Sequence, residues 1–242
     1  WTNGQTMAMR SNHGDWHIIL QNMSEDEAKQ IIDSSDVAYS SWYDDINVNA
    51  DQGYYINGKN AVLYGIEETY VTDIMKYPLE GSYPQNEKEV ALSADAKELF
   101  NVQIGDNIIL NTPAGDFNYT ISGFYEDDED FNDIIDGTCM YMCRATFDEV
   151  RSLNGLESMS RFYVRFKNEN GLKKTITNIK EQYSLTSENV SENTPVLSLL
   201  GASTNESINA LYPLAVACFV IILIAGIFMI SSCMNSNVAQ RT

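Results

Sequence analysis

RFYVRFKNENGLKKTITNIKEQY, residues 161–183, holds a strand and a helix in one line. Phe162, Val164 and Phe166 alternate with Arg161, Arg165 and Lys167, the period-two pattern of a strand with one covered face. Leu172, Ile176, Ile179 and Tyr183 then recur at helical spacing. A matching unit stands near the other end. HIILQN (17–22) reads as a buried strand. In MSEDEAKQIIDSS (23–35), Ser24 and Glu27 form a capping box, and Ala28, Ile31 and Ile32 give one apolar face. DVAYSSWYDDINVNA (36–50) follows as a second, mixed strand. Two strand–helix units packed side by side give an α+β, ferredoxin-like split βαβ layer.

The chain between these units is different in kind. GYYINGKNAVLYGI (53–66) carries Asn57-Gly58 between two apolar runs; that pair accepts positive φ at both central turn positions and predicts a hairpin. ETYVTDIM (68–75) reads as a short helix. From residue 78 the chain is short strands and turns. Ser93 is placed to cap a brief helix in ADAKELF, and Gly105-Asp106 leads into NIIL. Phe117, Tyr119 and Ile121 share a face of FNYTISGFY. Strands this short predict a small barrel or an open sheet. TCMYMC is a further strand. TFDEVRSLNG (146–155) is a helix with Thr146 and Glu149 as a second capping box and Gly155 past its end.

Charge narrows the function classes. The chain has 15 Lys and Arg against 34 Asp and Glu, a net charge of -19. There is no basic stripe to meet phosphates, so nucleic acid is not an expected partner. Yet no residue between Glu206 and Arg241 is charged. As a helix, 211–233 would run roughly 34 Å, enough to cross a ~30 Å hydrocarbon core. Glu206 on one flank and Arg241 on the other place residues 1–206 outside and the C-terminus in the cytoplasm. TPVLSLLGAST (194–204) reads as a helical lead-in, with Thr194 as cap, Pro195 at the first helical position and Val196, Leu199 and Leu200 on one side. The chain opens on Trp1 with no signal peptide. A translocated domain then implies a removed signal or an upstream membrane helix.

Candidate chemistry is thin. EDDEDFNDIID (126–136) carries seven carboxylates. The EF-hand pattern wants Gly sixth and Glu twelfth; counted from Asp128, those positions hold Asp133 and Cys139. A self-repelling, mobile loop is the expectation. His13, Asp15 and His17 offer metal-ligand atoms, but i and i+4 of a strand lie ~13 Å apart. Asp44-Asp45 is expected on the surface. Cys139 and Cys143, two pleats apart, are too far for a mutual disulfide, and Cys218 and Cys233 are small apolar residues of the membrane run. No catalytic string occurs, so no catalytic, cofactor or metal residue is nominated, and the chain is not expected to be an enzyme.

LEGSYPQNEKEVALSADAKELFNVQIGDNIIL (79–110) resembles a recurring stretch in the outer domains of FtsX-like, MacB-type ABC transporter permeases. The matching residues are Leu79, Gly81, Pro84, Glu89, Val90, Leu92, Ser93, Leu99, Val102, Ile104, Gly105, Asp106, Ile108 and Leu110. ISGFYED (121–127) is similar to the strand that follows, and NSNVAQRT (235–242) to the start of the cytoplasmic segment. The resemblance implies a porter-like lobe over 1–77 and 146–193 and an inserted, sabre-like β-rich lobe over 78–145. It also implies a stalk over 194–210, a transmembrane helix over 211–233 and a cytoplasmic stub over 234–242. The implied role is the extracytoplasmic domain of a bacterial cell-membrane permease that couples cytoplasmic ATP hydrolysis to movement outside the membrane. That movement would serve export or extraction of a peptide, lipid or drug-like substrate, or activation of a partner. The implied partners are an ABC ATPase, a second permease copy or partner permease, and an extracellular peptide or protein. The alternative is the extracellular sensor domain of a membrane-anchored signalling receptor.

Overall fold

The computed structural model describes residues 7, 9, 10, 13–127, 129–204, 213 and 216–229. In chain order, β1 (Ile18–Leu20), α1 (Glu25–Ser34) and β2 (Val37–Ile46) come first. The hairpin β3 (Tyr55–Ile56) and β4 (Lys59–Ile66) follows, then one π-helical turn (Tyr70–Ile74), β5 (Leu79–Gly81) and β6 (Glu89–Ser93). Next are α2 (Ala96–Phe100), β7 (Asn107–Thr112), β8 (Gly115–Tyr125), α3 (Glu129–Ile135), β9 (Gly137–Met142) and α4 (Arg144–Leu153). The chain returns through β10 (Arg161–Phe166), α5 (Leu172–Gln182), β11 (Val190–Glu192) and α6 (Thr194–Leu199).

Four strands from the two ends of this sequence lie in the order β11–β1–β10–β2, every neighbour antiparallel. Each strand–helix–strand unit is therefore split: β10 sits between β1 and β2, and β1 between β10 and β11. The period-two pattern sets the register, with Phe162 opposite Trp42 and Leu20. Phe162, Val164 and Phe166 meet Ala28 and Ile31 of α1 and Ile176 and Ile179 of α5 in one buried cluster. Each such large side chain contributes ~1.5–3 kcal/mol by leaving water. The Ser24–Glu27 capping box forms in both directions and starts α1.

Six of the other seven strands close on themselves. Read round, they run β4–β3–β7–β8–β6–β9, and a parallel pairing of β9 with β4 completes the ring. β5 extends the ladder along β8. The ring draws β3 and β4 from upstream of residue 78. Asn57 (φ 49°) and Gly58 (φ 80°) make the hairpin turn, as the dipeptide predicts. Gly137 permits the closure, because a Cβ there would sit 2.0 Å from the carbonyl oxygen of Asn60. Alternation divides the ring strands between two cores. Leu63, Leu92 and Met140 join the cluster that runs through the barrel, and Val62, Ala91, Cys139 and Tyr141 join a second one.

β4 links the two parts. Its C-terminal half, Leu63–Ile66, pairs with Ile46–Tyr43 of β2, and its N-terminal residues pair with β3 on the same edge. The sheet is thus continuous from lobe to barrel.

Several local expectations are corrected. Ser93 ends β6 rather than capping α2; Asp95 holds that position, and the Ser93 hydroxyl is buried against Asp127 and the Cys139 N–H of β9. Thr146 lies inside α4, which starts from Cys143, so its capping box does not form. The acidic stretch is not a loop, because residues 129–135 form α3 with Ile135 buried. Asp44 is buried, where its carboxylate accepts the backbone N–H groups of Asp45 (2.8 Å) and Met159 (3.1 Å).

α6 is capped by Asn193 rather than Thr194, and Val196 and Leu197 are its buried residues. The Asn193 side-chain amide donates to the carbonyls of Gly14 and Trp16, and Glu192 holds Thr204, so this lead-in is fastened to the lobe. Residues 216–229 are helical, with Phe219, Ile222 and Phe228 among their exposed side chains. Among the described residues no helix is long and apolar enough to cross a membrane. The predicted span over 211–233 lies partly outside the described residues, and the stub 234–242 wholly so.

A tyrosine-lined cavity as candidate functional site

The second core is not filled. Between lobe and barrel it leaves a cavity of about 240 Å³. Tyr43 reaches it from β2, Tyr64 from β4 and Tyr141 from β9. Each points to the face opposite the main core, as period-two alternation requires. Tyr70 comes from the π-turn, Tyr77 from the segment after it, and Phe131 from α3. The rings brace one another. Tyr43 lies 5.7 Å from Tyr64 and 5.1 Å from Tyr70, and Tyr64 stacks on Tyr141 at 5.4 Å. Burial pushes the hydroxyl pKa values of Tyr43, Tyr64, Tyr70 and Tyr141 far above the ordinary phenol range, so all four stay protonated.

Asp127, just after β8, is the acid of the cavity. It accepts hydrogen bonds from the Ser93 and Tyr141 hydroxyls and, at 3.4 Å, from the Asn132 amide. Burial raises its pKa, and these donors oppose the rise. Among the described residues no Lys or Arg pairs with it. Ser93 also accepts the Cys139 N–H at 3.3 Å, and the Cys139 thiol donates to Asn132 at 3.2 Å. Burial, with Asp127 nearby, pushes that thiol far up, so it is a protonated and weak nucleophile. The arrangement offers aromatic surface, hydroxyl donors and one carboxylate, which is the equipment of a binding site.

The histidine–aspartate group near the N-terminus is drawn into other contacts. His17 is buried, and no metal-binding cluster occurs among the described residues. Asp15 instead takes ion pairs from Lys76 (3.0 Å), Arg165 (2.9 Å) and Arg10 (3.2 Å). Burial works against its charge, but the three cations outweigh it and hold its pKa below the usual carboxylate range. Asp45 pairs with Arg161 at 2.5 Å. The cavity residues were not nominated by sequence, because they lie far apart in the chain. The signal that could have found them is compositional: 14 tyrosines in 242 residues.

No protein-family model and no curated protein matches the sequence. Among solved structures, the periplasmic region of MacB from Actinobacillus actinomycetemcomitans superposes with a TM-score of 0.53 at 16% identity. The match covers 79% of this chain and 94% of that one. The chain has the fold of the MacB periplasmic region. The extracellular domain of the noncanonic ABC-type transporter YknZ from Gram-positive bacteria gives a TM-score of 0.49 at 12% identity, over 73% of this chain and 98% of that one. In this MacB-like fold the tyrosine cavity sits where the four-stranded lobe meets the barrel.

Proposed function

We propose that this chain is the extracytoplasmic domain of an FtsX-like, MacB-type ABC transporter permease. The observation that carries the reading is the MacB fold, found over nearly the whole length of that domain. The string that carries the sequence resemblance falls on the barrel: Leu79 and Gly81 on β5, Glu89–Ser93 as β6, Ile108 and Leu110 on β7. In this reading the split βαβ part is the ferredoxin-like porter lobe, and the barrel corresponds to the sabre-like lobe. In this reading the membrane segment is the span expected over 211–233, of which 216–229 is described as helix. Its described portion, 216–229, covers about 21 Å of a ~30 Å core at ~1.5 Å per residue. A helix apolar on every side belongs in an apolar surrounding. ATP hydrolysis by a cytoplasmic ATPase then moves the domain outside the membrane, against a substrate or partner there, with a second permease copy completing the complex.

The test is purification of the full-length protein from its native membranes. Co-purification of an ABC ATPase, and loss of its membrane association when the permease gene is deleted, are expected. A full-length protein that carries a kinase or other signalling domain and no ATPase refutes the reading in favour of a receptor. Orientation is read with Ser187→Cys on the exposed loop before β11. An impermeant maleimide added to intact cells labels it; labelling only after lysis refutes the outward placement.

A further inference from the structure

The cavity described above has a chemistry of its own. A carboxylate is held out of bulk water with hydroxyl donors but, among the described residues, no cation beside it. Around it stand tyrosine rings, whose faces carry negative electrostatic potential. Among the described residues, Arg161 is the cation seen over one of these rings, 5.5 Å from the Tyr43 centroid, and Asp45 already neutralises it. The acidic stretch 126–136 contributes both Asp127 and Phe131 to the lining. A cleft of one charge sign with low-dielectric walls concentrates ions of the opposite sign.

We propose that this cavity binds an organic ammonium group, with the Asp127 carboxylate as counter-charge and Tyr43, Tyr64, Tyr70 and Tyr141 as its cage. An anion is excluded by Asp127. A plain apolar group would leave the carboxylate desolvated and without a counter-ion, which costs free energy that a cation recovers. The volume, about 240 Å³, is below the ~300–1,000 Å³ of drug-sized sites. It suits a small head group: a quaternary ammonium on a small molecule, or the end of a lysine side chain on a peptide. The assignment rests on the cavity and is independent of coupling to an ATPase.

The experiment is calorimetric titration of the full chain in neutral detergent. The probes are choline, Nα-acetyl-lysine amide and 3,3-dimethylbutan-1-ol, the uncharged isostere of choline. At least one ammonium probe is expected to bind tenfold or more tightly than the isostere; which of the two binds better separates the small-molecule source from the peptide source. Asp127→Asn is expected to weaken that binding at least tenfold, and Tyr64→Leu to weaken it severalfold. Binding of the isostere as tight as that of both ammonium probes, or no heat from either, overturns the proposal. So does an Asp127→Asn protein that melts as the parent does and binds as well. If that variant fails to fold, the comparison of probes on the parent chain decides alone.

Discussion

Lowering the pH from 7 to 5 weakens the fold by about 2 kcal/mol through one side chain, His17. The ring is fully buried and stacks on Phe166 at 5.9 Å. Its Nδ1 accepts the Phe166 N–H at 3.1 Å, so the neutral ring carries its proton on Nε2. Burial first, then the charges of Arg165 and Arg10, bring its pKa down to about 3, against a weaker pull upward from Asp15. In the unfolded chain the imidazole takes a proton as pH falls through ~6.5, while in the folded chain it does so only near the lowered value. Between those limits the unfolded state holds more protons, so stability falls with pH. At pH 5 the solution is about 1.5 units below the unfolded pKa, and at ~1.36 kcal/mol per unit the loss is about 2 kcal/mol. Asp44 and Asp127 act in the opposite sense, since burial raises both and acid relieves the cost of their charge. The clean quantity is therefore the stability gap between the parent and His17→Gln, from urea unfolding followed by tryptophan fluorescence. That gap is expected to move against the parent by about 2 kcal/mol between pH 7 and 5. An unchanged gap, or a His17 resonance titrating in the ordinary imidazole range, refutes the reasoning.

Gly65→Ala places a methyl 2.4 Å from the Phe147 ring and 2.7 Å from Trp42; a loss of ~1–3 kcal/mol is expected, and an unshifted Tm would count against the packing described. Ser24→Ala removes the exposed cap of α1 and should cost ~1 kcal/mol, read by the same melt. Ser93→Ala takes one hydrogen bond from Asp127 and leaves the buried Cys139 N–H without its acceptor. A loss of ~1–3 kcal/mol is expected, and stability equal to the parent's would show that the hydroxyl has no structural share.

The elements legible in the sequence were those written locally. Alternation in 161–167, the helical stripe of 172–183, the Ser24–Glu27 box and the Asn57-Gly58 turn each depend on residues within a few positions. Ring closure depends on β4 meeting β9, with Asn60 opposite Gly137, and nothing local marks that pairing. Ser93 and Thr146 mimic caps because a hydroxyl three residues ahead of an acid, or before a short apolar run, satisfies the cap pattern wherever it falls. Here a tertiary contact claims the Ser93 hydroxyl for Asp127, while Thr146 sits in the first turn of α4, where its hydroxyl meets the Cys143 thiol three residues back. The acidic stretch misled through charge alone: Ile135 packs into the second core and Asp127 finds three donors, which local repulsion does not foresee. The cavity was hidden for the same reason as the ring, since its walls come from three strands and two connecting segments.

β4 serves two masters along one edge, β2 at one end and β3 at the other. The barrel is for that reason not a detachable module. A fragment cut at residue 78 takes four of the six staves and leaves β3 and β4 behind, so it has two raw edges where a tube should close. Swapping barrels between relatives, or grafting this one elsewhere, has to carry residues 55–66 along. The seam for any such transplant runs through the middle of a strand rather than through a linker.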